Sequence, residues 1–168
     1  DIIRIFDALN DVRNIKQAVV STKKYGGTAE VALCYTTSPV HNTEYFVNLA
    51  KQLEDMGADI ICIKDMANLL LPYTAYELVS RLKESLKPGT MVHLSTHTTA
   101  GTGEMVHLKE QEPGSHIVDM APSPLCNCIR HPDTTSSFTP LQLTNIDNAL
   151  YLHTHTIHQL HLSTIYDQ

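Results

Sequence analysis

The chain has 168 residues, 42% of them apolar and 18% charged, and carries a formal net charge of -6. That length suits one domain with a substantial core, and the composition excludes a disordered or fibrous chain. The acidic balance lacks the basic footprint of non-specific nucleic-acid binding, so no nucleic-acid partner is expected.

No apolar run approaches the length that crosses a bilayer, and no charged-then-apolar leader opens the chain. Direct membrane insertion is therefore not expected, and a peripheral membrane location would come only through partner subunits. Cys34 and Cys62 lie in apolar runs and read as small buried hydrophobes, while Cys126-Asn127-Cys128 lacks the two-residue spacing of most zinc or redox pairs. All four cysteines read as structural, which suits a reducing cytoplasm.

The first strand-like run covers residues 2–6. A helical pattern follows over 12–25, with Ile15, Val19 and Tyr25 on one stripe, Asn10 or Asp11 as N-cap and Gly26-Gly27 as the stop. Residues 30–35 form a second strand, and 43–56 place Phe46, Leu49, Ala50, Leu53 and Met56 at helical spacing before Gly57. A third strand spans 60–64. Pro72 then opens a helix to residue 86, faced by Ala75, Leu78, Val79 and Leu82 and closed by Pro88-Gly89. The fourth strand is 91–94, a weaker helix runs over 103–112 to Pro113-Gly114, and the fifth strand is 116–120. After Leu125 the regularity fades, so the chain divides into 1–125 and a histidine-rich C-terminal segment, 126–168.

Strand ends recur about every 25 to 30 residues, the size of a βα unit with short loops. Such repeats with apolar strands imply a parallel α/β sheet covered by helices. Two architectures fit about five units: part of a TIM (β/α)8 barrel, or an open parallel α/β sheet. Length favours the open sheet and the strand-end residues favour the barrel. No glycine-rich turn follows a strand, which weighs against a nucleotide site.

Polar groups gather at the carboxyl ends of the strands: Asp7 and Asn10, residues 35–38, Lys64-Asp65, residues 95–99 and Asp119. Barrels and open α/β sheets both keep their chemistry at this rim. A neutral lysine amine at Lys64 would add carbon dioxide to give a carbamate, an oxygen ligand suited to a divalent metal; its bland alternative is a lysine that reaches solvent. His97 follows the next strand and is either a ligand or a hydrogen-bonded structural group. Two histidines at i, i+2 would share a face, but the partner position is Ser95, a poor ligand, and His93 lies two strand steps deeper. Thr99 sits in a Thr-Thr-Ala-Gly turn, as a turn or capping residue or as a hydroxyl that shuttles a proton. His153, His155, His158 and His161 form a separate tail cluster with the chemistry of a surface zinc or nickel site, or of a solvated face.

Several longer stretches carry a family resemblance. They are Arg4-Ile5-Phe6-Asp7-Ala8-Leu9-Asn10-Asp11-Val12-Arg13-Asn14, Cys34-Tyr35-Thr36-Thr37-Ser38-Pro39-Val40-His41, Met56-Gly57-Ala58-Asp59, Ile63-Lys64-Asp65-Met66-Ala67 and Leu71-Pro72-Tyr73. In this order they resemble the carboxyltransferase domain of biotin-dependent enzymes: the oxaloacetate decarboxylase α subunit, the transcarboxylase 5S subunit and pyruvate carboxylase. The likeness is strong over 1–110 and patchy through Ile117-Val118-Asp119 and Ser123-Pro124.

The resemblance implies a TIM barrel with a divalent metal (Zn, Mn or Co) at its C-terminal mouth, and a chain that begins at the fourth barrel strand. Lys64 is then the carbamylated metal ligand, His97 the second histidine of a His-x-His pair, and Thr99 the threonine that moves a proton. Ser95 stands where the family has the first histidine. An aspartate ligand and a substrate arginine belong to strands before this chain. Asp7, Tyr35 and Asp65 are expected near the substrate. The implied reaction is metal-assisted carboxyl transfer between oxaloacetate or pyruvate and carboxybiotin, with biotin on a biotin carrier protein. A segment supplying the missing strands, or a homo-oligomer, is the expected structural partner. The alternative is a non-catalytic remnant or interaction module with an incomplete metal site.

Overall fold

The computed structural model describes residues 1–122, 125–142 and 144. The expected tail cluster, His153 to His161, and the Ser123-Pro124 pair lie outside the described residues. The elements in chain order are β1 (Ile2–Ile5), α1 (Val12–Lys24), β2 (Thr28–Cys34), α2 (Thr43–Met56), β3 (Ile60–Asp65), α3 (Pro72–Ser85), β4 (Met91–Thr96), α4 (Gly103–Gln111), β5 (Ile117–Val118) and α5 (Thr134–Phe138), followed by a 3-10 turn at Thr139–Leu141.

Local chemistry sets most of these boundaries. The Asp11 carboxylate accepts from the Arg13 N–H to start α1, and the Asn42 side chain accepts from the Tyr45 N–H to start α2. Gly57 ends α2 at φ 112°, a left-handed conformation that needs glycine. Strand bounds change more than helix bounds: β2 begins two residues earlier at Thr28, and β5 shrinks to Ile117–Val118. β4 continues two residues past Leu94, because Ser95 and Thr96 still pair with Lys64 and Asp65 of β3.

All pairings are parallel, in the order β1-β2-β3-β4-β5. Right-handed crossovers that always advance one place in the same direction leave their helices on one face. The core shows this layering. Ile5, Val31, Leu33, Ile61, Ile63, Val92 and Leu94 pack with Ile15, Val19, Phe46, Leu53, Leu78, Leu82 and Val106 of the helices. A doubly wound open sheet would need its strand order to reverse, and among the described strands it does not.

Curvature decides the architecture. In a flat sheet β1 and β5 would lie about 19 Å apart, four strand spacings of about 4.8 Å. Yet Arg4 Nη1 of β1 donates to Asp119 Oδ2, just past β5, at 2.7 Å. The sheet therefore curls around the other face, whose side chains line a concavity. The fold is an arc of a (β/α)8-like barrel, and the open-sheet alternative is set aside.

Two ionisable side chains of α4 are fully enclosed. Burial lowers the His107 pKa to about 4, and burial raises that of Glu110 to about 8 against a small lowering by Ser115. Neither ring nitrogen of His107 has a partner among the described residues. Each group is thus neutral in the folded state at neutral pH.

Arg4→Met is expected to strip the countercharge from buried Glu30 and to cost about 3–5 kcal/mol of stability, read from the urea midpoint. Replacing Glu30 by Met in the same chain should recover most of that loss. A second test follows from α4. A raised carboxyl pKa makes stability fall as pH rises between the unfolded and folded values, from about 4.3 to about 8. The lowered His107 makes stability rise with pH from about 4 to about 6.5, so the two effects oppose each other there. Net loss from this pair should appear between about pH 6.5 and 8, and Glu110→Gln should flatten that limb of the stability–pH curve.

Candidate metal rim at the barrel mouth

Strand alternation sorts the side chains of the concave face into layers. Glu30 pairs with Ile60; Ala32 with Cys62, and Cys62 with His93; Cys34 with Lys64, and Lys64 with Ser95. His97 follows on the same parity as His93 and Ser95, just beyond the end of β4. Its backbone N–H donates to the Asp65 carbonyl at 3.0 Å and prolongs the ladder.

The floor of the concavity is an ionic network centred on Arg4. Its Nε donates to the Glu30 carboxylate, Nη1 to Asp119, and Nη2 lies 3.2 Å from His93 Nδ1. The His93 ring nitrogens stand 3.2 Å from Glu30 Oε2 and 3.0 Å from Asp119 Oδ1. Burial works against ionisation of Asp119, yet hydrogen bonds from His93, Arg4 and Ser95 hold its pKa far below the usual carboxylate range.

Glu30, Cys62 and His93 bring ligand atoms within 4.8 Å of one another, the spacing of a metal cluster. Two observations fit a metal poorly here. The Arg4 guanidinium already supplies the positive charge, and burial pushes the Cys62 thiol so far up that it stays protonated, a weak ligand. These groups form a satisfied polar floor.

The rim lies above the floor. Lys64 leaves β3 on the concave face, half-buried, its Nζ 5.2 Å from the Phe6 ring centroid. His97 leaves on the same face, and its pKa is lowered by burial first, then by His131 and by the Lys64 charge. That keeps the imidazole neutral, the form that offers a lone pair to a metal. Ser95 is buried between the layers, its Oγ 3.4 Å from Arg4 Nη1. The guanidinium so close to it opposes a cation at the Ser95 position, whereas the neutral His97 ring above it keeps a lone pair. Lys64 would join it as a ligand only once its ammonium is discharged, as in a carbamate.

The remaining expected site residues sit elsewhere, for a reason of parity. Tyr35 follows inward-facing Cys34 and Asp65 follows inward-facing Lys64, so both point to the helix side. Tyr35 stacks on Phe46 at 5.0 Å between ring centroids. Asp65 is fully buried and accepts from the N–H groups of Leu69 at 3.0 Å and Leu70 at 2.9 Å, and from Thr96 Oγ1 at 3.3 Å. Asp7 accepts from the N–H groups of Leu9 and Asp11, both at 2.9 Å, and from Asn14 Nδ2, which shapes the β1–α1 loop. These partners hold the three groups in place at the strand ends. Thr99 is exposed on the β4–α4 turn. Asn10, at φ 59°, donates to and accepts from the Cys34 backbone and so extends the end of β2.

Sequence reasoning missed Arg4, Glu30 and His131. For the first two a signal existed. A charge embedded in the run Ile-Ile-Arg-Ile, and another in Thr-Ala-Glu-Val, marks a strand face that is polar inside. His131 comes from a loop with no periodic pattern and left no such trace.

No protein-family model matches the chain. Among characterised proteins it is 50% identical over 152 residues to a pyruvate carboxylase subunit of Methanocaldococcus jannaschii, across 90% of this chain and 26% of that protein. The chain belongs to the carboxyltransferase-domain family of biotin-dependent enzymes. Within that family it is 42% identical to the methylmalonyl-CoA carboxyltransferase 5S subunit of Propionibacterium freudenreichii subsp. shermanii, over 88% of this chain and 30% of the relative. The carboxyl transferase domain of Rhizobium etli pyruvate carboxylase, solved with pyruvate and biocytin, superposes on all of this chain and 29% of its own with a TM-score of 0.96 at 31% identity. The chain thus spans between a quarter and a third of the length of these family members.

Asp65→Ala should leave the buried N–H of Leu70 unsatisfied and strip the partner from the half-buried N–H of Leu69. The expected loss is about 2–3 kcal/mol in thermal or urea unfolding, with faster hydrogen exchange at those two amides.

Proposed function

We propose that this chain contributes the metal-binding rim of a carboxyltransferase that moves a carboxyl group between a 2-oxo acid, pyruvate or oxaloacetate, and biotin carried on a partner domain. The observation that carries the reading is the emergence of Lys64 and His97 on one concave face at the C-terminal ends of adjacent parallel strands. The Rhizobium etli domain, which binds pyruvate and biocytin, supports the substrate class.

In this reading Lys64, as its carbamate, and neutral His97 hold a divalent ion such as Zn, Mn or Co. The ion would act as a Lewis acid toward the 2-oxo acid and favour negative charge on its enol oxygen. The Arg4 network beneath fixes β1, β2, β4 and Asp119 against one another, so the rim residues are positioned by a rigid floor. Thr99 is exposed, so a proton-transfer role for it requires a further element to close over the turn and exclude water.

A second reading has its own observation. With Ser95 buried beside the Arg4 guanidinium, the rim has lost one expected imidazole, which favours a non-catalytic remnant. Metal content and pyruvate enolisation separate the two. The purified chain, loaded with Co2+ in bicarbonate, should hold one ion, gain one carbon dioxide on Lys64 by mass, and exchange the pyruvate methyl protons in D2O, followed by NMR. Lys64→Ala should lose the ion and slow the exchange by about 100-fold. A chain that binds no stoichiometric ion and exchanges pyruvate at the background rate would be the remnant.

A further inference from the structure

We propose that His131 supplies the second imidazole of the rim, in place of the one that Ser95 cannot provide. This rests on the reading of Lys64 and His97 as metal ligands and adds a residue outside the expected His-x-His spacing. The His97 and His131 rings stand with centroids 4.9 Å apart and planes crossed at 84°. Two imidazoles that share one ion through bonds of about 2.1 Å at a tetrahedral angle have centroids about 5 Å apart.

The tautomer of His131 is set by its partner. Nδ1 lies 2.8 Å from the Thr96 carbonyl oxygen, so it carries the hydrogen and donates, and Nε2 keeps its lone pair. A ligand histidine is usually oriented in this way, by a backbone carbonyl on its other nitrogen.

The loop that bears His131 is held by backbone bonds on several sides. The Thr98 N–H donates to the Arg130 carbonyl at 2.9 Å, the Asn127 N–H to the His131 carbonyl at 3.0 Å, and the Ala121 N–H to the Pro132 carbonyl at 3.0 Å. Gly103 permits the approach, since a Cβ there would lie 2.5 Å from Thr98 Oγ1 and 2.7 Å from Pro132 Cγ. The ring is therefore delivered to His97 by fixed backbone, which is what a metal site needs from its scaffold. Zinc and cobalt, which accept imidazole with an oxygen ligand such as a carbamate, are the ions this donor set suits.

The test is Co2+ titration of the full chain by visible absorbance and calorimetry, with His153, His155, His158 and His161 replaced by glutamine to silence the tail. His131→Asn keeps a donor to the Thr96 carbonyl, because its amide nitrogen falls where Nδ1 was, but removes Nε2. Circular dichroism and the melting temperature should match the parent. The expected result is Co2+ binding weakened by about 10- to 100-fold with an altered ligand-field band, and abolished in His97→Ala. Parent-like binding in His131→Asn together with loss in His97→Ala overturns this proposal and leaves the Lys64–His97 reading standing. Absence of Co2+ binding in the parent, or binding unaffected by His97→Ala, overturns both.

Discussion

The structure depends on one cation in the middle of a concave sheet. Arg4 reaches from β1 to Glu30 on β2, to His93 on β4 and to Asp119 beyond β5. Without it, the nearly fully buried Glu30 carboxylate would be left with only the His93 ring and the Cys62 thiol as polar partners. Buried charge persists only when paired, and here the pairing also ties the first strand to the end of the fifth. Curvature and electrostatic satisfaction are the same contact.

That floor shapes what the rim above it can do. The guanidinium near Ser95 makes the layer just below the mouth unfavourable for a second cation, so the proposed metal site is the one above it, at the end of β4. The floor also accounts for Glu30, Cys62 and His93, whose spacing alone would suit an ion. Distance permits a metal there; the protonated thiol and the resident guanidinium do not favour one. Geometry and charge have to be read together.

How much was legible differs by element. Caps, glycine stops and apolar stripes located α1, α2 and α3 to within a residue or so, because helix ends are set by local hydrogen-bonding chemistry. The carboxyl end of β4 was not legible, since its last two residues are strand only by virtue of pairing with β3. Of the candidate site, Lys64 and His97 were singled out by the resemblance to the carboxyltransferase motifs, since their strand-end positions alone left a solvent-reaching lysine and a structural histidine open. Tyr35 and Asp65 each follow an inward-facing neighbour, so by parity they leave their strands toward the helices. There Tyr35 packs on Phe46 and Asp65 binds the Leu69 and Leu70 amides.

By itself the sequence determined a repeating βα order, the polar character of the strand ends and the membership of Lys64 and His97 in one strand-end set, because each follows from interactions within about one turn or one strand. Only the tertiary structure decided that the sheet curls, that Arg4 meets Asp119 and that His131 arrives beside His97. Those contacts join residues 115 and 34 positions apart. Local periodicity carries no record of such distances; they exist only once the strands are paired, curved and covered.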